Sequence, residues 1–418
     1  MSATPASTRL RGRVLLPERA RPGFHLVDDA VITIAADGTI AAVEAAAADE
    51  DLPEAHPGAL LLPGLVDTHV HYPQTRVRGS ASGPLLDWLR ATVFPEEARF
   101  ADDPYAAAVA VEFCDAMIEQ GTTSAAIFGS PHPSATQLLF AELERRGLRG
   151  LVGLTLMDRG APAANLLGAG PALDACAALV ERWHGRDRDR LRFCVTPRFA
   201  LSCTPELLRG AAELAARHDL WIQTHLAEND AEIAATAASF PGAADYLAVY
   251  EDHGLVGERS LFAHCIHLTD GAWDRLAERR ACVAHCPDSN FFLGSGVMSL
   301  AAATQRAIRV GLGSDVGAGR TFSLRRVAAR AYDAALLRGA AATPESLLWL
   351  ATRGGAEAIG LADAVGLLEP GFDADLIAVD LPAGIDAARL FDALLFRLDA
   401  GPVRATYVRG RRIDRGAR

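Results

Sequence analysis

The sequence predicts an α/β protein: a (β/α)8 TIM-like barrel with a small flanking β domain built from both chain ends. Three observations carry this. Short apolar or β-branched runs alternate with Ala/Leu/Glu/Arg stretches over roughly 290 residues, the rhythm of strand and helix in such a barrel. The two ends alternate at period two instead, with turn signals between the runs. Histidines and acids also fall just after several of the runs, where the strand ends of a barrel converge on one mouth. A doubly wound open sheet is the alternative architecture.

Taken in order, residues 9–60 read as strands around Arg13-Val-Leu-Leu and Val31-Ile-Thr-Ile, with an Asp37-Gly38 turn signal between runs. The barrel strands follow at Leu61–Val66, Thr122–Phe128, Leu148–Leu156, Arg190–Val195, Leu220–Thr224, Ser260–Ala263, Ala281–Ala284 and Val310–Ser314. Helices are expected between them, for example at Tyr105–Glu119, Ser134–Arg146, Pro205–Arg217 and Leu324–Leu337. Thr204 before Pro205 is a good N-cap followed by a proline whose missing N–H costs nothing there. Residues 366–415 return to strand character around Gly371, Asp375-Leu-Ile-Ala-Val and Ala405-Thr-Tyr-Val. Neither end holds enough strands for a core of its own. Residues 1–62 and 366–418 are therefore expected to form one composite β domain, and residues 63–365 the barrel.

Composition limits the function classes. The 418 residues are 50% hydrophobic and 22% charged, which suits a folded globular protein and not a disordered one. Lys+Arg 41 against Asp+Glu 52 leaves a net charge of −11, a balance that repels phosphate backbones and argues against nucleic-acid binding. No apolar run of about 18 residues stands out as a membrane span. The start, MSATPASTRLRGR, lacks the apolar stretch of a secretory signal, so a cytoplasmic location is expected. Seven cysteines without a C-x-x-C pattern read as buried, reduced thiols. The chain contains no lysine, which excludes Schiff-base and pyridoxal chemistry, a P-loop lysine and a lysine general base. It also excludes a two-metal centre bridged by a carboxylated lysine, so a single metal is expected.

The stretch Pro63-Gly-Leu-Val-Asp-Thr-His-Val-His71 carries the first chemistry. Side chains of a strand alternate between faces, so His69 and His71 point the same way where the strand ends. H-x-H alone is a weak metal signal, and two surface or core histidines would give the same pattern. His225, His264 and Asp315 raise the odds, because each follows a predicted strand. Three or four N/O ligands with one open position suit a catalytic zinc, with iron or manganese also possible. Glu228, three residues past His225, is placed to move protons beside such a metal rather than to bind it.

These residues resemble a known family. Pro63–His71, His225-x-x-Glu228, His264 and Ser314-Asp315 are similar to the amidohydrolase superfamily in its mononuclear aminohydrolase branch. Within that branch, several segments resemble the guanine deaminase family: His71-Tyr-Pro-Gln-Thr75, Pro84-Leu-Leu-Asp-Trp-Leu89 with Phe94-Pro-Glu96, Val195-Thr-Pro-Arg-Phe199 and Thr224-His-Leu-Ala-Glu-Asn229. So do His264-Cys-Ile-His-Leu268, His285-Cys-Pro-x-Ser-Asn290 with Gly294-Ser-Gly296, and Gly313-Ser-Asp-Val-Gly317. The resemblance runs in order from about residue 60 to 380.

The resemblance implies one metal ion, most simply Zn2+ with Fe2+ or Mn2+ admitted, held by His69, His71, His225 and Asp315. It implies hydrolysis of guanine to xanthine and ammonia, with His264 contacting the attacking water, Asp315 taking its proton and Glu228 protonating N3. Arg198 would donate to O6, Phe199 would pack on the ring and Gln74 would pair with another edge; His225, Glu228 and Asp315 would also meet the substrate. A homodimer is implied by kinship alone, with guanine and water as the small-molecule partners and neither nucleic acid nor membrane. Another aminohydrolase of the branch, acting on a pyrimidine, triazine or nucleoside, would keep the metal set but not Gln74, Arg198-Phe199 and the Leu85–Phe94 segment together. A barrel binding metal only structurally would not keep both Glu228 and Asp315.

Some features depart from the pattern. Ser314 replaces a more usual threonine, and Asp288 and Arg320 bring extra charges near the site. His267 and His285 read as supporting or structural, and His25, His56, His132, His184, His218 and His253 as surface residues. The H-x-E with P-C-x-x-C zinc signature of the cytidine-deaminase fold is absent, as are a G-x-S-x-G elbow and a G-x-G-x-x-G fingerprint.

Overall fold

The chain begins in one sheet and passes into another at a single glycine. In the computed structural model, which describes residues 8–47, 54–381, 384–397 and 401–415, strands β1 (Thr8–Pro17), β2 (Phe24–Ile34), β3 (Ile40–Ala45) and β4 (Glu54–Pro63) come first. Residues 1–7 of the stretch read for a secretory signal lie outside the described residues. Then follow β5 (Leu65–His71), β6 (Thr122–Phe128), β7 (Arg149–Gly153), β8 (Thr155–Leu156), β9 (Leu191–Pro197), β10 (Trp221–Leu226), β11 (Ser260–His264), β12 (Cys282–His285) and β13 (Arg309–Leu312). The chain closes with β14 (Leu376–Asp380), β15 (Val403–Val408) and β16 (Arg411–Ile413).

Strands from both ends share one seven-stranded sheet, in the order β16-β15-β14-β4-β1-β2-β3. The middle strands form the second sheet, β13-β12-β11-β10-β9-β7-β6-β5 with β8 paired to β9, all parallel neighbours. That sheet curls into a barrel: Asp315 N–H donates to the His69 carbonyl at 2.8 Å and His71 N–H to that of Val316 at 3.0 Å, joining its two edges. The seam between first and last strands therefore lies at three of the predicted functional residues.

The expected strand Leu61–Val66 divides between the two sheets, because at Gly64 a Cβ would collide with the Thr123 side chain and only glycine lets the chain cross there. The expected strand Leu148–Leu156 likewise breaks at Leu154, its second part pairing Thr155 with Thr196. Helix expectations fare better: the observed helices include Pro205–His218, with Thr204 accepting from Leu207 N–H, and Leu324–Leu337. Ala163–Trp183 is apolar and long enough to cross a membrane by composition, although the sequence predicts no such span. Its helix Ala169–Trp183 turns Ala172, Cys176, Leu179, Val180 and Trp183 into the core, and Trp183 stacks on Phe140 at 5.2 Å.

The seven cysteines are free and buried. The two sheets are tied by Arg149 on β7, a buried guanidinium 2.5 Å from Asp373 Oδ2 and 3.3 Å from Asp375 Oδ2. Arg409 N–H also donates to Asp375, at 2.9 Å. Removing one partner from a buried ion pair strands the other's charge. We expect Arg149→Ala to lower unfolding stability by about 3 kcal/mol, read from urea denaturation at fixed zinc concentration.

Candidate active site

The barrel brings His69, His71, His225 and Asp315 to one point, with one ligand atom of each within 4.8 Å of the others. His69 and His71 share a face of β5 by strand alternation, His225 comes from the end of β10, and Asp315 follows β13. His69 and His71 Nε2 stand 3.2 Å apart, as do His71 and His225 Nε2, and Asp315 Oδ1 lies 3.3 Å from both His69 and His71 Nε2. Burial pushes His71 down to about 3 and His225 well below its ordinary value, so both rings are neutral. His225 Nδ1 lies 2.6 Å from the Arg198 carbonyl, which fixes the proton on that nitrogen and leaves the Nε2 lone pair facing inward. Neutral imidazole nitrogens and a carboxylate converging in this way fit a single divalent cation.

His264 sits beside this set. Its Nδ1 is 2.9 Å from Asn290 Oδ1, an acceptor, so Nδ1 carries the proton. Its buried Nε2 has no hydrogen-bond partner and faces Glu228 Oε2 at 3.4 Å and Asp315 Oδ2 at 3.8 Å. That lone pair is free to accept from a water placed between them.

Glu228 is held from two sides. Ser295 Oγ donates to its Oε1 at 3.0 Å, and its backbone N–H donates to Glu232 Oε2 at 2.9 Å. Glu232 also closes the capping box of the helix Asp230–Ser239 with Asn229, and accepts from Tyr246 at 2.6 Å. Burial, with the Asp315 charge beside it, pushes the Glu228 carboxyl up to about 8. It therefore holds a proton near neutral pH and can give it away.

A cavity opens over this group. Gln74, Arg198 and Phe199 line it together with Glu228 and Asp315, with Leu85, Trp88 and Leu293 as apolar walls. The cavity thus combines the polar side chains of Gln74 and Arg198 with the proton carriers and metal ligands. Asp288 and Arg320 are not among the residues lining it: Arg320 Nη2 bonds Asp288 Oδ1 at 2.5 Å, so the two charges cancel outside.

The predicted site residues meet here, while some neighbours went unnoticed in the sequence. Ser295 and Asn290 stood in the quoted segments without roles, and Glu97, behind Arg198, was not singled out. His267 bonds the Ser295 carbonyl at 2.8 Å, a supporting contact. His285 is buried beneath the site. His56 corrects the surface reading: it is buried and bonds Tyr407 Oη at 2.9 Å, because β4 lies in the composite sheet beside β14, one strand from β15.

Comparison with known proteins agrees with this geometry. Residues 60–413 match the model of the amidohydrolase family. The chain is 38% identical over 365 residues to a guanine deaminase of Escherichia coli (strain K12), spanning 85% of this chain and 83% of that protein. It is 42% identical over 360 residues to a probable guanine deaminase of Deinococcus radiodurans, spanning 84% and 81%. Among solved structures, E. coli guanine deaminase superposes with a TM-score of 0.91 at 31% identity, covering 99% of this chain and 100% of that one. A guanine deaminase from C. acetobutylicum with guanine bound in its active site superposes with a TM-score of 0.91 at 28% identity, covering 98% and 100%. With the family model matched across the whole barrel and the three sheet strands that follow it, this chain belongs to the amidohydrolase family.

Proposed function

We propose that the chain hydrolyses guanine to xanthine and ammonia in this cavity. The observation that carries the reading is the pairing, in one cavity, of a metal set of three histidines and one aspartate with a polar end made by Gln74 and Arg198. The guanine deaminase relatives described above support it. His69, His71, His225 and Asp315 would hold one metal ion, zinc by the donor set, with Fe2+ or Mn2+ as substitutes. When bound, that ion lowers the pKa of water so that hydroxide is available near neutral pH.

The chain's residues do the rest. Arg198 donates to O6, Gln74 meets the neighbouring ring edge, and Phe199 packs on the purine. The Nε2 lone pair of His264 orients the attacking water, and Asp315 takes one of its protons. The oxygen forms a bond to C2 while Glu228 delivers its proton to N3, so the ring accepts the electron pair without carrying a full charge. Glu228, left ionised, takes the hydroxyl proton while Asp315 gives its proton to the C2 amine; the C–N bond breaks, ammonia leaves, and C2 becomes the second carbonyl of xanthine. The proposal includes a homodimer, on kinship, and a cytoplasmic location.

The test uses the zinc-loaded protein with guanine, following xanthine and ammonia, with adenine, cytosine and a chlorotriazine in parallel. Turnover of guanine alone is expected; turnover of another substrate in its place would overturn the reading. Arg198→Ala should lower kcat/KM for guanine by about 10²-fold with metal content unchanged, since a buried acceptor loses its donor. Ser295→Ala should lower kcat by about tenfold with KM little changed, because Glu228 loses the hydroxyl that aims it.

A further inference from the structure

We propose that Glu97 is a positioning residue that sets the preference for a 6-oxo purine, acting through Arg198 and Gln74. This rests on the guanine reading above. Glu97 does not line the cavity; it lies behind it, 1% exposed at the side chain, on the short helix Phe94–Ala98. Its Oε2 is 2.6 Å from Arg198 Nη1 and its Oε1 accepts from Gln74 Nε2 at 3.1 Å. One carboxylate therefore holds two of the polar side chains that line the cavity.

The consequences follow from donor and acceptor chemistry. An ionised carboxylate only accepts, so the Gln74 group facing it is the NH2. Gly317 N–H only donates, at 3.1 Å, so the group facing it is the Gln74 carbonyl oxygen. With both ends assigned by their partners, the amide has one orientation. Arg198 is fixed likewise: Glu97 holds one nitrogen, and Phe94, one turn earlier on the same helix, lies under the guanidinium at 5.4 Å. Arg198 retains N–H groups not used by Glu97, and Gln74 keeps one amide N–H. Glu97 also cancels the Arg198 charge, so this end of the cavity is rich in donors yet neutral. Such an end matches the acceptors O6 and N7 of uncharged guanine. A purine with hydrogen at C6 leaves a buried donor unpaired, which costs affinity. Without Glu97, the Gln74 amide can turn and Arg198 can swing, and the preference has no fixed origin.

The experiment compares guanine with 2-aminopurine, which has the same C2 amine and N3 but no O6. The proteins are the zinc-loaded wild type, E97Q, E97A, R198A/Q74A and E97A/R198A/Q74A. E97Q keeps the shape but cannot accept from both partners. It should lower kcat/KM for guanine by about 10–100-fold, chiefly through KM, while 2-aminopurine changes by about threefold or less. Where 2-aminopurine turns over too slowly, its inhibition constant against guanine replaces the rate. In the R198A/Q74A background, E97A should change the guanine to 2-aminopurine ratio no further, as expected if Glu97 acts only through those two. Zinc content and thermal melting report folding, and E97Q carries the test if E97A does not fold. An unchanged ratio in E97Q, equal losses for both substrates, or a further ratio change in the triple variant would each overturn the assignment. Failure of the wild type to release xanthine would overturn the functional reading and this assignment with it. Wild-type turnover with an unchanged ratio in E97Q removes only the role of Glu97.

Discussion

Glu228→Gln should retain its metal and lose its reaction: kcat for guanine falls about 10²–10⁴-fold while zinc per chain and KM stay near wild type. The geometry separates the two properties. Glu228 is not one of the four converging ligands, and its Oε2 stands 3.4 Å from His264 Nε2. Gln is close to isosteric and its amide oxygen can still accept from Ser295, so the loop fixed by Glu232 and the Asn229 cap has no reason to move. What the amide lacks is a proton to deliver. Burial and the Asp315 charge hold the Glu228 carboxyl near 8, protonated at neutral pH, and the other carboxyl lining the cavity, Asp315, is one of the four converging ligands. Measured together, metal content and single-turnover xanthine release distinguish lost chemistry from lost binding. Wild-type turnover in this variant would show that N3 takes its proton from elsewhere.

Much of this was legible in the chain, for reasons that differ by residue. His69 and His71 could be paired because a strand repeats every two residues, and their neighbours could be placed because barrel strands end at one mouth. Helices with sharp chemical ends, such as the one opened by Thr204-Pro205, could be bounded closely. The strand change at Gly64 was hidden because both halves, Leu61-Leu62 and Leu65-Val66, are equally apolar; only the close approach of Thr123 shows it. His56 was hidden because its partner, Tyr407, is 351 residues away. Glu97 illustrates the limit best. It stands beside Glu96 in Pro95-Glu-Glu-Ala98, and the two are alike in sequence. Glu96 pairs with Arg99 at 3.0 Å and with Tyr105, whereas Glu97 faces Arg198, 101 residues on. Which of two adjacent acids serves a site is decided by the helix face each occupies, and a helix as short as Phe94–Ala98 leaves no periodic signal of it.

Chelation should abolish turnover and also soften the fold: the melting temperature falls by about 5 °C or more, and stoichiometric zinc restores both. The second effect follows from the same four residues. Ring nitrogens stand 3.2 Å apart, burial holds the His71 and His225 rings neutral, and the His225 proton is on Nδ1, so lone pairs crowd at one point. Asp315 adds a carboxylate 3.3 Å from two of them. Without a cation these groups repel or must recruit protons that their burial opposes; with one, the repulsion becomes coordination, present only in the folded chain. Because His69 and Asp315 lie on opposite edges of the barrel seam, joined by the Asp315 N–H bond to the His69 carbonyl, coordination also clamps the first strand to the last. Asp315→Asn should then lose part of the zinc-dependent rise in melting temperature as well as activity, since the amide is a weaker ligand and a poor proton acceptor. Zinc that restored turnover without raising the melting temperature would mean that the ion contributes chemistry alone and that the seam is held by backbone bonds and packing.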